Sequence, residues 1–360
     1  MLFIRDKKGL IFIYDGVIDI VSRKKIGIAD VARKANVSIT TVSRVINNVP
    51  SVSKENYIKV KRAIASLNFK PNIVAQRLAR GINNAIGVVM PGYAGIFHSF
   101  YAIELIRGIG HACESLGLDM VFHITDGNNP IGTDHVDGII FADVISNIKH
   151  VAETVLAGIP CLVINNRLDE IDISYIAVDN VLGGRIAAEY LVGLRHKRIA
   201  IITGDLKTQA GKHRFDGFIG CLRESNISIA DDYIFYGDYS RRCARIAIQQ
   251  FLSLERRPTA VFAASDEMAL EMISFIFERG LSVPEDVSVI GFDDNPSCLY
   301  GPVSLTTIRQ PIFKMAETAV HRLYSMILDF RENKKTSRQR IVLNPELVVR
   351  ESCCVRYRSR

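Results

Sequence analysis

Apolar residues recur at Ile28, Val31, Ala32 and Ala35, the one-face spacing of a short helix. Asn36-Val37-Ser38 interrupts the pattern. A second helical stretch follows over 39–47, with Val42, Val45 and Ile46 on one face. Two short helices joined by three or four residues form a helix-turn-helix, whose second helix enters the DNA major groove. The opposite face of that second helix carries Thr40, Thr41, Ser43, Arg44 and Asn47, all able to hydrogen-bond bases or phosphates. A plain helical hairpin with a solvated face would show the same periodicity, so charge has to decide between them.

Further along, short apolar runs alternate with helical stretches. The runs 86–90, 120–125, 138–142, 161–165, 199–203, 260–264 and 287–291 are strand candidates. Helical periodicity lies between them, at 182–194, 244–254 and 268–279. Alternation of apolar strands with helices predicts parallel sheets covered on both faces. One connection breaks the rhythm: residues 126–135 read DGNNPIGTDH, too rich in Gly, Asn and Pro for a helix. An extended strap is predicted there.

Charge separates the two regions. Between Arg23 and Arg80, thirteen Lys and Arg stand against Asp30 and Glu55, a net of +11, whereas the whole chain carries +7. The remainder therefore sums to about −4, and the positive charge sits in about one sixth of the sequence. That concentration is the footprint of a phosphate-binding module and favours the DNA reading.

At 360 residues the chain exceeds what one hydrophobic core organises, so two or three domains are expected. No stretch approaches the roughly 20 apolar residues that span a membrane. Residues 1–24 do not read as a secretory signal, because Asp6, Lys7, Lys8, Asp15 and Asp19 break the apolar runs. They are left as a β-like arm, a disordered leader or an over-called start, and the cytoplasm is the default location. Seven scattered cysteines show no CxxC and no zinc spacing, so no metal is expected. Adjacent Cys353 and Cys354 read as small hydrophobes, with a redox role as the alternative. Gly108-Ile109-Gly110 starts a near dinucleotide fingerprint, but Cys113 replaces the third glycine and the motif falls inside a helical pattern. No cofactor and no catalytic residue set is indicated.

The ungapped run IADVARKANVSITTVSRVIN, followed by VPSVSKENYIKVKRAIASLNFKPNIVAQRLA, resembles the headpiece of the LacI/GalR family of bacterial transcription regulators. The likeness continues through Val178-Asp179-Asn180, Gly183-Gly184, RFDGF (214–218), GLSVPEDVSVIGFDD (280–294) and SLTTIRQP (304–311). It implies an α/β protein with an N-terminal helix-turn-helix and a two-lobed core of parallel sheets, like the periplasmic binding proteins. The implied organisation is an extension (1–24), a DNA-binding domain (25–71), a hinge helix and linker (72–84), a core (85–352) and a basic tail (353–360). The first lobe would comprise about 85–180 and 311–332, the second about 181–308 and 340–352.

The resemblance also implies site residues. DNA would be read by Ile39, Thr40, Thr41, Ser43, Arg44 and Asn47, with Leu78 of the hinge wedged into the minor groove. Read as local sequence, Leu78 is one apolar position on a linker helix. A small effector would meet Arg214, Asp293, Tyr239 and Ser265. From the first lobe it would meet Phe97 and Phe100, with neighbours His98 and Tyr101, and also Asn165 and Asp179. Structural alternatives stand beside these: Arg214 and Asp293 could form a lobe-spanning salt bridge, and Tyr239 could be a core aromatic. The function implied is an effector-controlled regulator, most often a repressor, acting as a homodimer on a pseudo-palindromic double-stranded DNA operator. A sugar or sugar derivative is the expected effector. A solute-binding receptor or a purine-responsive regulator is the alternative.

Overall fold

Short polar residues punctuate the first helices. In the computed structural model, which describes residues 2–6, 9–14, 17–20, 26–47, 49–70, 82–92 and 96–356, α1 (Ile28–Ala35) ends where Asn36 turns left-handed at φ 53. Asn is one of the few side chains that tolerate that region. Ser38 then starts α2 (Ile39–Ile46), its hydroxyl accepting from the Thr41 amide at 3.1 Å. A cap of this kind contributes about 1 kcal/mol. Ser53 caps α3 (Lys54–Leu67) in the same manner. Val31, Ala32, Ala35, Val42, Val45, Val60 and Ala63 are buried together among the three helices. These side chains are small, so the helices meet closely around a modest core.

Ahead of these helices, β1 (Leu2–Asp6), β2 (Gly9–Tyr14) and β3 (Val17–Ile20) pair as an antiparallel meander. Leu78, the rest of 71–81, residues 93–95 and the side chain of His98 lie outside the described residues.

Residues 1–83 and 84–360 form separate compact units. In the second unit the apolar runs become two sheets. One contains β4 (Ala85–Pro91), β5 (Asp119–Thr125), β6 (Gly138–Phe141), β7 (Cys161–Ile164), β8 (Ser174–Val178) and β14 (Arg340–Leu343). Its order is β14-β8-β7-β6-β4-β5, parallel throughout. Every residue of β4, β6, β7 and β8 is buried, as expected of a sheet covered on both faces. Among the helices of this lobe are α4 (Phe100–Leu116) and α5 (Ile148–Leu156).

The second sheet is built from β9 (Ile199–Ile202), β10 (Ile234–Phe235), β11 (Ala260–Ala263), β12 (Ser288–Asp293), β13 (Thr306–Arg309) and β15 (Glu346–Val348). It runs β10-β9-β11-β12-β13-β15, parallel except at the β13–β15 edge. Its helices are α6 (Asn180–Gly193), α7 (Gln209–Glu224), α8 (Arg241–Ser253) and α9 (Asp266–Glu278). The last helix, α10 (Ile312–Arg331), buries Ile312, Met315, Val320, Leu323 and Ile327 in the first lobe's core.

The chain therefore passes between lobes three times: after β8, after β13 and between β14 and β15. That corrects one assignment. Residues 340–343 belong to the first lobe, pairing with β8, and only the segment from 346 joins the second. The strands β8, β10, β13, β14 and β15 were absent from the apolar runs picked out by sequence. They are short, and three are interrupted by Arg, Glu or Thr.

The strap is observed: no helix occurs between Thr125 and Gly138. The Thr125 carbonyl and hydroxyl hold its start, accepting from the amides of Gly92 at 2.8 Å and Gly127 at 3.0 Å. Without a covering helix, the edge strand β5 leaves Phe122 and Ile124 exposed. Gly108 lies inside α4, against α10, which disposes of the dinucleotide-loop reading.

Close approach of α6 to α7 explains the glycines of two motifs. A Cβ on Gly184 would overlap the Arg214 carbonyl, and one on Gly217 would overlap the Val181 carbonyl. Those contacts set the position of the helix carrying Arg214. We expect Gly184→Ala to lower the stability of the second unit by about 1–3 kcal/mol through overpacking. Gly193→Ala, on the same helix with nothing within 4 Å, should be neutral or stabilising by roughly 0.5 kcal/mol. Urea midpoints of the core transition compare the two, and equal midpoints would remove the close-packing argument.

Candidate functional site

The helix-turn-helix sorts its polar face into two groups. Ile39, Thr40 and Arg44 are exposed along α2. Thr41 instead faces the Ser38 hydroxyl at 2.9 Å, and the Asn47 amide donates to Ser43 at 3.4 Å. Val42 and Val45, on the other side, are buried in the core. The helix is thereby fixed by one face and offers the opposite one, with Ile39, Thr40 and Arg44 free to reach base edges and Thr41, Ser43 and Asn47 partly committed.

In the second unit, residues following the carboxyl ends of the strands gather between the lobes, where ligands of open α/β sheets bind. Arg214 is 5% exposed. Its Nε donates to Asn180 Oδ1 at 2.9 Å and its Nη1 to the Ala264 carbonyl at 2.6 Å. The guanidinium lies 3.7 Å from the centroid of the Phe292 ring, a cation–π contact, and 3.7 Å from Asp293 Oδ1. The pair is thus close, yet both residues belong to the second lobe, so it is no lobe-spanning bridge.

Asp293 ends β12 at φ 124 and accepts from the Gln310 amide at 2.6 Å. The two aspartates of the GFDD motif separate here. Asp294 is drawn away by Arg350 at 2.6 Å and Arg309 at 2.7 Å, and these cations, against the effect of burial, hold its carboxyl below the usual range. Behind Asp293 lies Asp266, 1% exposed, accepting from Thr307 Oγ1 at 2.5 Å and the Asn295 amide at 2.7 Å. Burial, and then the Asp293 charge, push the Asp266 carboxyl well up, and burial raises Asp293 also. Two buried carboxylates that feel each other's charge disfavour the doubly charged state.

Tyr239 has φ 68 and packs its ring over Gly204, where no Cβ could fit. Burial raises its phenol above the usual range, and the phenol feels the charges of Arg214, Asp293 and Asp143. Asp143 follows β6 of the first lobe. Burial lifts Asp143 to about 6.

The remaining candidates are more committed. Asp179 caps α6, accepting from the Leu182 amide at 3.0 Å, and pairs with Arg167 at 3.2 Å. Ser265 caps α9, accepting from the Met268 amide at 3.4 Å. Asn165, 7% exposed, stands at φ 67 just after β7. Phe100 packs on the first lobe's core, and Tyr101 donates to the Ala142 carbonyl at 3.1 Å. Phe97 is exposed on a short 3-10 turn.

Backbone strain marks the same place. Non-glycine residues with positive φ include Asn165, Tyr239, Asp293 and Asp294, whereas Asn36, Asn68, Arg195, Asn226 and Asn333 lie at the ends of helices. Such conformations cost of order 1–3 kcal/mol each and gather at ligand clamps. Sequence reasoning passed over Asp143, Gln310, Asn180, Asp266, Gln209 and Arg167. For Asp143 a signal existed: it is the first charged residue after the apolar run GIIFA.

A side chain of the second lobe grips the backbone of the first. Gln209, opening α7, receives the Arg167 amide on its Oε1 at 2.7 Å and donates its Nε2 to the Arg167 carbonyl at 3.0 Å. Arg167 lies in the first lobe, between β7 and β8. Two cavities, of about 500 Å³ beside Cys161 and Phe330 and of about 540 Å³ beside Phe122 and Ile124, lie on the first lobe away from this cleft. The cleft is favoured over both because its polar groups are buried and convergent. Among the described residues there is no cluster suited to a metal and no helix long and apolar enough to cross a membrane.

Gln209→Ala should release the Arg167 amide. Each hydrogen bond contributes about 0.5–1.5 kcal/mol net, so hydrogen exchange at that amide should quicken roughly two- to tenfold. Unchanged exchange would mean the clamp does not hold in solution.

Both units resemble known proteins. Residues 27–72 match the profile of the bacterial regulatory proteins of the lacI family, and residues 188–353 match that of the periplasmic binding protein-like domain. A probable HTH-type transcriptional repressor, ExuR of Bacillus subtilis, is 33% identical over 90% of this chain and 97% of its own. The lac repressor dimer bound to operator and the anti-inducer ONPF superposes with a TM-score of 0.77, at 28% identity, over 92% of this chain and 100% of that one. The transcriptional regulator CelR in complex with cellobiose superposes at 0.67, also at 28% identity, over 91% and 99%. The chain belongs to the lacI family of bacterial regulatory proteins, and it is a DNA-binding transcriptional regulator.

Proposed function

We propose that this regulator is a repressor that binds a pseudo-palindromic operator as a homodimer and responds to a small polar effector of sugar type held between the lobes of its second unit. The observation that carries the reading is the placement of Arg214, Asp293 and Tyr239 at the carboxyl-end side of the second sheet, each of them strained or buried, with Arg214 3.7 Å from Asp293. The lac repressor and CelR structures support operator and sugar as the two ligands by analogy. A single helix-turn-helix reads few bases, and two-fold proteins read half-sites about one helical turn apart.

The chain acts by binding, not by catalysis. Thr40 and Arg44 meet base edges, with Ile39 beside them for apolar contact. Lys and Arg of the +11 segment hold phosphates. Thr41, Ser43 and Asn47 support the helix and reach the backbone. In the cleft, Arg214 donates, Asp293 accepts and Tyr239 offers a ring face. Asn165, Asp179 and Ser265 line the strand ends, and Phe97 and Phe100 are the first-lobe aromatics nearest to them in the fold. An effector controls DNA binding by preferring one arrangement of the lobes over another. The basic helix-turn-helix disfavours a solute receptor, and the acceptor-rich cleft favours a polyhydroxylated ring over a purine.

Asp293→Ala should abolish the effector response while operator affinity is retained. Arg214→Ala should do the same, with some loss of stability because the Ala264 carbonyl loses its donor. Fluorescence anisotropy of labelled operator, with and without effector, reads both effects. Unchanged effector affinity in both variants would remove these residues from the pocket.

Leu78→Ala tests the minor-groove wedge separately. Binding to random duplex should persist, since it rests on counterion release at phosphates, while preference for the operator falls. Equal weakening on operator and random duplexes across several salt concentrations would eliminate the wedge.

A further inference from the structure

The meander ahead of the helix-turn-helix sorts its residues unevenly between its two faces. Leu2 stands opposite Ile13 and Ile13 opposite Ile18, while Ile4 stands opposite Ile11 and Ile11 opposite Ile20. Residues alternate between the faces of a strand, so these six share one face. All six are aliphatic, with only Asp6 and Gly9 beside them at the turn. The other face mixes Phe3, Leu10, Phe12, Tyr14 and Val17 with Arg5 and Asp19. A lone sheet is one layer, and an aliphatic face is stable only against a second one. The helix-turn-helix region keeps apolar residues of its own on the surface, with Ile26, Val49, Tyr57 and Ile58 39–41% exposed. Those residues are not buried against the meander.

Resting on the homodimer reading above, we propose that the meander is a clasp between subunits, its aliphatic face packed on the same face of the partner's meander. A two-fold axis sets one patch against its own copy, and two sheets stacked face to face make the missing second layer. Chain length permits it. Seven residues, 21–27, separate β3 from α1 and span at most about 25 Å, so two such segments reach about 50 Å. Half-sites lie only about 34 Å apart on a duplex. Area limits where the contact forms. A face of four residues on three strands covers roughly 200 Å², far below the ~800 Å² per partner of a stable complex. Free meanders therefore do not hold chains together. They meet within a dimer assembled elsewhere, where tethering raises their effective concentration. The clasp restricts the position of the second helix-turn-helix, and so favours a duplex with two half-sites over one with a single half-site.

The probes are a duplex selected from a random pool by the full chain, and the same duplex with one arm scrambled. Deleting residues 1–20 removes Arg5, Lys7 and Lys8 together with Asp6, Asp15 and Asp19, so net charge is unchanged and phosphate attraction is controlled. The deletion should weaken binding to the intact duplex about tenfold and leave the one-armed duplex within about twofold. The pair Ile11→Thr and Ile13→Thr, which keeps strand propensity, should reproduce the loss, and Val17→Thr on the other face should not. Heterodimers with one truncated chain should bind like the doubly truncated dimer, because a clasp needs both halves. Equal loss on both duplexes, no loss on either, or heterodimers of intermediate affinity would overturn the clasp, each meander then serving its own chain or none. Light scattering separates the two readings. A full chain that is monomeric alone and on DNA removes the homodimer and this inference with it, whereas a dimeric truncated chain keeps the homodimer whatever the duplexes report.

Discussion

The buried guanidinium of Arg214 is the constraint on which the effector cleft depends. A charge so little exposed is stable only when its donors are placed, and here they reach α6 through Asn180 and the end of β11 through the Ala264 carbonyl. Its flat face covers Phe292, which also packs in the second lobe's core. One side chain therefore registers helix, strand and aromatic core against each other. The glycines at 184 and 217 matter for the same reason, since they let α7 bring Arg214 close enough to α6.

Around that cation the carboxylates take different parts by environment and not by type. Asp294 is claimed by Arg309 and Arg350, tying the end of β12 to β13 and to the C-terminal segment. Asp266 is sealed behind Thr307 and the Asn295 amide, where burial favours its neutral form. Asp293 keeps contact with both Arg214 and Gln310 and faces the cleft. Three acidic groups at the ends of neighbouring strands thus separate into an ion pair, a buried acid favoured in its neutral form and a cleft-facing acceptor.

Much of the fold was legible in the sequence because its signals are local. The apolar spacing of α1 and α2, the Asn36 turn and the Ser38 cap act within a few residues, and the fully buried strands announce themselves as apolar runs. The edges were not legible. β14 reads as an ordinary polar-flanked segment, and only pairing with a strand more than 160 residues earlier places it in the first lobe. The site divides the same way. Arg214 and Asp293 sit in recognisable motifs, whereas the capping roles of Asp179 and Ser265 depend on where a helix starts. Asp143 becomes informative only when the opposite lobe is brought up to it. The positive φ angles at Asn165, Tyr239 and Asp293 leave no compositional trace, since none of the three is glycine.

Gln310 occupies a position with a mechanical meaning. It is the first residue after β13, on one of the three strands of chain that pass between the lobes, and its amide already grips Asp293. Its Oε1 has no hydrogen-bond partner among the described residues, and a molecule seated against it would pull on the joint itself, not on a surface remote from it. Sensor and pivot are then the same few atoms, and occupancy can be converted into lobe rotation without a relay of intervening side chains.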